Sequence, residues 1–245
     1  MRCEDSNIPS TKCNVRGGVE EFGPEKKLYT REERELAACR AIDSAKTTPL
    51  KYFLPLYFIA YICVAFLWRS YKVRRMTGIN PIVFKASDEP QDFIGRVFKI
   101  MFVLVVLLIL VSSFLPSANR FVGPITWLDV PTVQWLGTGL LLISLIWTAV
   151  AQYQMGQSWR IGIDREHRSP LVEKGLFKFS RNPIYVGLMA TLLGLFLVIP
   201  NALTLLVFVL GFVVISIQVR LEESFLLESH GAAYTEYQRR VRRWL

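Results

Sequence analysis

Residues 184–219, IYVGLMATLLGLFLVIPNALTLLVFVLGFVVISIQV, form an apolar run interrupted near its middle by Pro200 and Asn201. A membrane helix takes about 20 apolar residues, so this run is too long for one ordinary crossing. Its two halves are each close to the lower length limit. Proline ends a helix and asparagine favours a turn, so the run reads as a tight helical hairpin, with one span at 184–199 and the next at 202–219. Both outer ends of such a hairpin return to the same membrane face.

Three further apolar segments, at 52–68, 97–115 and 133–151, complete an expectation of an all-α polytopic membrane protein with about five transmembrane helices. Pro55 sits near the start of the first and Trp68 marks its interfacial end. The 69–96 connection begins with a strong basic load, and Arg160, Arg165, Arg168, Lys174, Lys178 and Arg181 follow the third span. The 116–131 connection carries little positive charge. By the positive-inside rule the two basic loops and the C terminus face the cytoplasm, and residues 1–50 lie on the opposite side.

The chain has 245 residues, 52% of them apolar, and a formal charge of +9. Its Lys and Arg cluster beside apolar segments, which points to anionic lipid and topology control and away from nucleic acid. Two histidines, and Cys3, Cys13, Cys39 and Cys63 without close CxxC spacing, give no metal site or disulfide framework. Residues 1–50 form an N-terminal arm without the apolar stretch of a signal peptide. Within it 1–24 is expected to be mobile, and 25–45 has the composition of an amphipathic surface helix. Residues 51–245 form the membrane domain. No obligatory protein partner is evident.

Between the third span and the hairpin lies the polar interval 151–187, AQYQMGQSWRIGIDREHRSPLVEKGLFKFSRNPIYVG. Polar side chains beside hydrocarbon are expensive unless they serve a cavity, so this is where chemistry is expected. The tail RLEESFLLESHGAAYTEYQRRVRRWL alternates apolar anchors with charge, as a C-terminal helix lying at the interface does. Arg239, Arg240, Arg242 and Arg243 can hold lipid headgroups there. Glu222 and Glu223, at the end of a membrane helix, stand where other elements can complete a polar pocket.

The blocks MGQSWRIGID, LVEKGLFKFSRNPIYVG and RLEESFLLESHGAAYTEYQRRVRRW, in this order around a helical hairpin, resemble the isoprenylcysteine carboxyl methyltransferase family, within the wider phospholipid methyltransferase-like membrane enzymes. The resemblance covers about the last 95 residues and implies an integral-membrane enzyme that uses S-adenosylmethionine. It implies that Gly175, Arg181, Asn182, Pro183, Tyr185 and Gly187 shape the cofactor region, with Asn182 standing where family members often carry histidine. From the tail it implies Glu222, Glu223, His230, Gly231, Tyr234, Tyr237 and Arg240 around the same cavity. His167 is a further candidate for cofactor contact, and an exposed loop histidine is the alternative. Arg181, Glu222 and Glu223 are the residues expected to take part in catalysis.

Each residue also has a plainer reading. Arg181 can grip a carboxylate or phosphate through directed hydrogen bonds, or set topology by charge alone. The glycines permit close backbone approach to a ligand or to another helix. Tyr234 and Tyr237, three residues apart, form a cation-attracting pair or an interfacial packing stripe. The resemblance implies methyl transfer to a lipophilic acceptor, a small molecule or a membrane lipid. A prenylcysteine-like carboxylate is the leading acceptor and a phospholipid amine the alternative. An NADPH-dependent membrane reductase and a nonenzymatic scaffold are the other classes that fit a polar loop and a basic tail.

Overall fold

A computed structural model describes residues 52–78, 80, 89–162 and 170–245. The expected N-terminal arm, with its helix at 25–45, lies outside the described residues, as do His167, Cys3, Cys13 and Cys39. The described chain is helical. Helix α1 covers Tyr52–Thr77, α2 Pro90–Phe114, α3 Pro131–Met155, α4 Pro183–Val198, α5 Ala202–His230 and α6 Ala232–Arg240.

Among the described residues, α1, α2, α3 and α5 are long and apolar enough to cross a membrane. The chain is that of an integral membrane protein. Helix α4 has 16 residues. At about 1.5 Å per residue it is roughly 24 Å long, short of a hydrocarbon core of about 30 Å. The expected five crossings thus correspond to four helices of sufficient length and one shorter apolar helix.

Helix boundaries differ from expectation where polar residues continue a helix. Helix α1 runs beyond Trp68 through RSYKVRRMT, which contains neither Gly nor Pro, and stops at Gly78 in the left-handed region, φ 72°. Helices α2, α3 and α4 each begin with proline in the first turn, where its missing N–H costs nothing. The tail also departs from a single interfacial helix. Residues 220–230 extend α5, and Gly231, at φ 53°, turns the chain into α6.

The hairpin forms as its sequence dictates. Asn201 caps α5: its side chain accepts from the Thr204 N–H at 2.8 Å, while its own N–H donates to Thr204 Oγ1 at 3.3 Å. The α2–α3 connection is stitched to this tip, with Ile125 N–H donating to Pro200 O at 2.9 Å and Ala202 N–H to Gly123 O at 2.8 Å.

Helices α3 and α4 pack through small residues. A Cβ on Gly137 would stand 2.8 Å from Leu197 Cβ, and one on Gly194 would stand 2.9 Å from Leu141 Cγ. Close backbone approach of this kind is what joins helices where lipid removes the hydrophobic drive. A polar seam adds to it: Tyr57 donates to Leu141 O at 3.0 Å, and Ser144 Oγ and Thr191 Oγ1 share a hydrogen bond of 2.9 Å. Leu142, Ile143, Ile146, Leu206 and Val209 remain exposed on the outside, the faces lipid would cover.

Candidate functional site

The hairpin's outer ends, α4's first turn and α5's last three turns, stand side by side, which brings the two halves of the expected site together. At the start of α4, Arg181 donates from Nε to Glu223 Oε1 at 3.1 Å and from Nη2 to Glu223 Oε2 at 3.3 Å. Its Nη1 donates to Gln238 O at 3.1 Å and to Val241 O at 2.7 Å. Four of its five N–H groups are thus spent on the protein. Glu223, 4% exposed, also accepts from Asn182 Nδ2 at 3.0 Å and from Arg243 Nε and Nη2 at 3.0 and 2.9 Å.

This carboxylate is the knot of a latch between α4, α5 and the chain's last residues. The backbone repeats the connection, with Arg181 N–H donating to Arg242 O at 2.9 Å, and Ser180 Oγ donating to Arg243 O at 3.2 Å. The Glu223 carboxylate holds the Arg243 guanidinium above its ordinary pKa through these hydrogen bonds.

Glu222, one residue earlier, is placed differently. Its Oε1 accepts from the Tyr185 hydroxyl and from Gln218 Nε2, the latter at 2.8 Å. Among the described residues no Lys, Arg or His forms an ion pair with it. Glu222 therefore presents a carboxyl without a cationic partner on the wall of a narrow cleft of about 100 Å³, which Arg181, Asn182, Tyr185, Phe177 and Tyr237 also line.

The remaining expected residues support these walls or stand apart from them. Gly175, at φ 63°, admits the Gln154 side chain, whose atoms would lie 2.3 Å from a Cβ there. Gln154 Oε1 accepts from the Leu176 N–H at 2.7 Å, which fixes the 3-10 turn Gly175–Lys178 against α3. Gly187 lies inside the α3–α4 contact, where a Cβ would meet Thr148 Oγ1 at 2.2 Å. Pro183 opens α4, and its carbonyl accepts from Trp147 Nε1 at 2.8 Å.

Tyr234 and Tyr237 are both buried, with ring centroids 6.0 Å apart. Tyr237 donates to Phe177 O at 2.7 Å and reaches the cleft. Burial pushes its phenol up to about 12 and raises that of Tyr234 as well. His230 ends α5 and Gly231 forms the bend into α6, and neither lines the cleft. Arg240 pairs with Glu173 at 2.8 Å and ties α6 to the loop before Gly175.

Two functional neighbours, Gln218 and Gln154, were not singled out in the sequence, and a third, Arg243, was read there only as one of the arginines that hold lipid headgroups. Gln218 lies four residues before Glu222 on one helix face, a spacing that could have revealed it. Arg243 and Gln154 carry no such local signal, because their partners are far away along the chain.

An integral membrane protein with a hairpin-built acidic cleft at one end of its helices is thus the class that fold and site define. Residues 132–233, from α3 to the start of α6, match the family model described as phospholipid methyltransferase. The protein-S-isoprenylcysteine O-methyltransferase of Saccharomyces cerevisiae is 31% identical over 111 residues, which cover 43% of this chain and 46% of that relative. The chain therefore spans about half the length of the curated relative it matches. The resemblance read from the three sequence blocks is borne out as similarity to the phospholipid methyltransferase family model over residues 132–233, with an isoprenylcysteine O-methyltransferase among the similar proteins.

Proposed function

We propose that this chain is an S-adenosylmethionine-dependent membrane methyltransferase acting on a lipophilic acceptor, most directly the carboxylate of a prenylated cysteine-like compound. The observation that carries the reading is Glu222, a carboxylate on the cleft wall without a cationic partner among the described residues, within the region that matches a methyltransferase family. A carboxylate is costly near apolar helices unless a cation faces it, so a bound cation would favour the ionised form of this group.

The residues present fit the cofactor in charge and kind. Glu222 balances a positive centre, and the rings of Tyr185 and Tyr237 offer electron-rich faces to it. At about 100 Å³ the cleft takes a small cationic group, well below the roughly 300–1,000 Å³ of a pocket for a drug-sized ligand. The rest of the cofactor must lie outside it or spread its walls. When bound, S-adenosylmethionine supplies a sulfonium-activated methyl group.

The protein's own contribution is alignment and dryness. Gln218 and Tyr185 fix the Glu222 carboxylate from two sides, and the latch around Glu223 fixes the α4 start that carries Tyr185. Holding reactants in one geometry and excluding water lowers the barrier without any covalent participation. A carboxylate acceptor is already ionised at neutral pH and needs no base. A phospholipid amine, which the family description favours as the second acceptor, must first lose a proton, and Glu222 is the group poised to accept it.

In this reading α4 is a fifth crossing, shortened because its ends are supported by protein, and the cleft faces the cytoplasm. The lipophilic acceptor enters from the bilayer and the charged cofactor from water. The test presents purified protein with methyl-labelled S-adenosylmethionine and, separately, a farnesylcysteine analogue, its methyl ester, phosphatidylethanolamine and a short soluble thiol. Label on the free-acid prenyl compound but not the ester supports the carboxylate acceptor. Label only on the amine lipid establishes the second acceptor, and label only on the soluble thiol sinks both.

A further inference from the structure

Helix α1 carries an arginine where an apolar helix ends, and among the described residues it faces an aromatic ring and a carbonyl but no carboxylate. Residues Cys63–Trp68 of α1 form a π-helical turn, and the freed Ala65 carbonyl accepts from Gln152 Nε2 of α3 at 3.0 Å. Wide turns of this kind recur at functional sites because they re-aim the next side chain. Here the next residue is Arg69, only 6% exposed.

The Arg69 guanidinium lies 5.9 Å from the centroid of the buried Trp159 ring. Its Nη2 donates to the Gly156 carbonyl, while its buried Nε has no hydrogen-bond partner. Among the described residues no carboxylate pairs with it. One carbonyl contact could be met by a neutral donor such as glutamine, whereas Arg adds a fixed charge and a planar fork suited to oxyanions. Leaving that charge buried and unpaired is unfavourable.

The position relative to the cleft is informative. Gly156 is flanked by Met155 and Ser158, and both line the cleft that Glu222 borders. A Cβ on Gly156 would meet nothing within 4 Å, so the Cα of the residue whose carbonyl Arg69 holds faces open space among the described residues. Arg181, by contrast, has four of its five N–H groups committed to the latch.

We propose that Arg69 is an oxyanion-binding residue beside the cleft, receiving the carboxylate or phosphate headgroup of a lipophilic molecule whose apolar part lies among the helices. The inference rests on the methyltransferase reading only for calling that molecule the acceptor. Two sources share this chemistry, the carboxylate of a prenylcysteine-like acceptor and the phosphate of an anionic membrane lipid.

The experiment measures binding, not turnover, with the full chain in nanodiscs of neutral phosphatidylcholine. Farnesylcysteine, its methyl ester and phosphatidic acid are each tested against the wild type, Arg69→Gln and Arg69→Lys. Arg69→Gln keeps a donor for the Gly156 carbonyl and removes the charge. The wild type is expected to bind farnesylcysteine about ten-fold more tightly than its methyl ester, which lacks the carboxylate, the effect of one charge-assisted hydrogen bond. Arg69→Gln should bring that ratio to about one, and Arg69→Lys should reduce it several-fold. Arg69-dependent binding of farnesylcysteine assigns the site to the acceptor, and Arg69-dependent binding of phosphatidic acid alone assigns it to a membrane lipid. A ratio near one in the wild type with no binding of phosphatidic acid overturns the proposal. So does a preference for either anion that is unchanged in both variants. If Arg69→Gln fails to fold, Arg69→Lys alone decides, since it keeps the charge and loses the fork. Methyl transfer is read separately on farnesylcysteine and on phosphatidylethanolamine, so its absence from both alongside Arg69-dependent binding refutes the methyltransferase reading and leaves this one standing.

Discussion

Replacing Glu223 with glutamine tests whether the second acidic residue holds the site together or waits for a ligand. The shape is nearly unchanged, but the charge is gone and one oxygen becomes an NH₂ group. Oε1 accepts from Arg181 Nε and Asn182 Nδ2, and Oε2 accepts from Arg181 Nη2 and both Arg243 donors. Either orientation of the amide therefore points a donor at donors. Breaking a buried ion pair from one side costs about 3–5 kcal/mol, which applies to Arg181, whose side chain is 10% exposed. The Arg243 side chain is 35% exposed, so solvent screening limits its share to about 1 kcal/mol or less. The loss should thus be about 3–5 kcal/mol, which for a chain of this size lowers the unfolding midpoint by roughly 10 °C. Thermal unfolding in detergent, followed by tryptophan fluorescence, reads it. Arg243→Met should shift the midpoint by only a few degrees. A midpoint for Glu223→Gln within about 2 °C of the wild type, where about 1 kcal/mol moves it by 2–4 °C, would refute the latch and leave Glu223 free for ligand.

Glu222→Gln should change the unfolding midpoint little yet weaken S-adenosylmethionine binding about ten-fold, as loss of one charge-assisted contact does. Calorimetry should show a smaller loss for S-adenosylhomocysteine, which lacks the sulfonium charge; equal losses would mean that Glu222 does not face that centre. Gly187→Ala should destabilise the α3–α4 contact by about 1–3 kcal/mol through overpacking, since the new Cβ would stand 2.2 Å from Thr148 Oγ1. Adding Thr148→Ala should recover most of that loss in a double-mutant cycle, and failure to recover it would place the constraint elsewhere. Tyr237, with its phenol pushed up to about 12 by burial, stays protonated in the folded protein when it ionises near pH 10 unfolded. Its contribution is complete below pH 10 and is lost as pH rises from 10 towards 12, so Tyr237→Phe should flatten the fall in stability over that window, while over pH 6–9 it lowers stability by a constant amount through loss of the hydrogen bond to Phe177 O.

Much of the architecture follows from local pattern alone. Apolar length fixes the membrane helices, Pro200 and Asn201 fix the hairpin, and the Asn201 cap with Thr204 is written in four consecutive residues. The hairpin in turn makes it inevitable that Arg181 and the 222–223 pair approach each other, because its outer ends share one side. Helix ends were less legible where polar residues prolong a helix, as in Arg69–Thr77 and 220–230, since amphipathic composition suits both a membrane helix end and an interfacial helix.

The division of labour between the two adjacent glutamates was decided only by tertiary structure. In sequence they are alike, but successive residues on a helix point about 100° apart. That rotation turns Glu223 into the latch with Arg181, Asn182 and Arg243, and Glu222 onto the cleft beside Tyr185 and Gln218. Arg69 is the same lesson at longer range. The sequence marks it only as the first charge after an apolar run, read there as part of a basic loop. Its burial against Trp159 and Gly156, some 87 positions away, exists only once α1 and α3 have packed, because whether a charge is solvated or confined depends on what the rest of the chain lays over it.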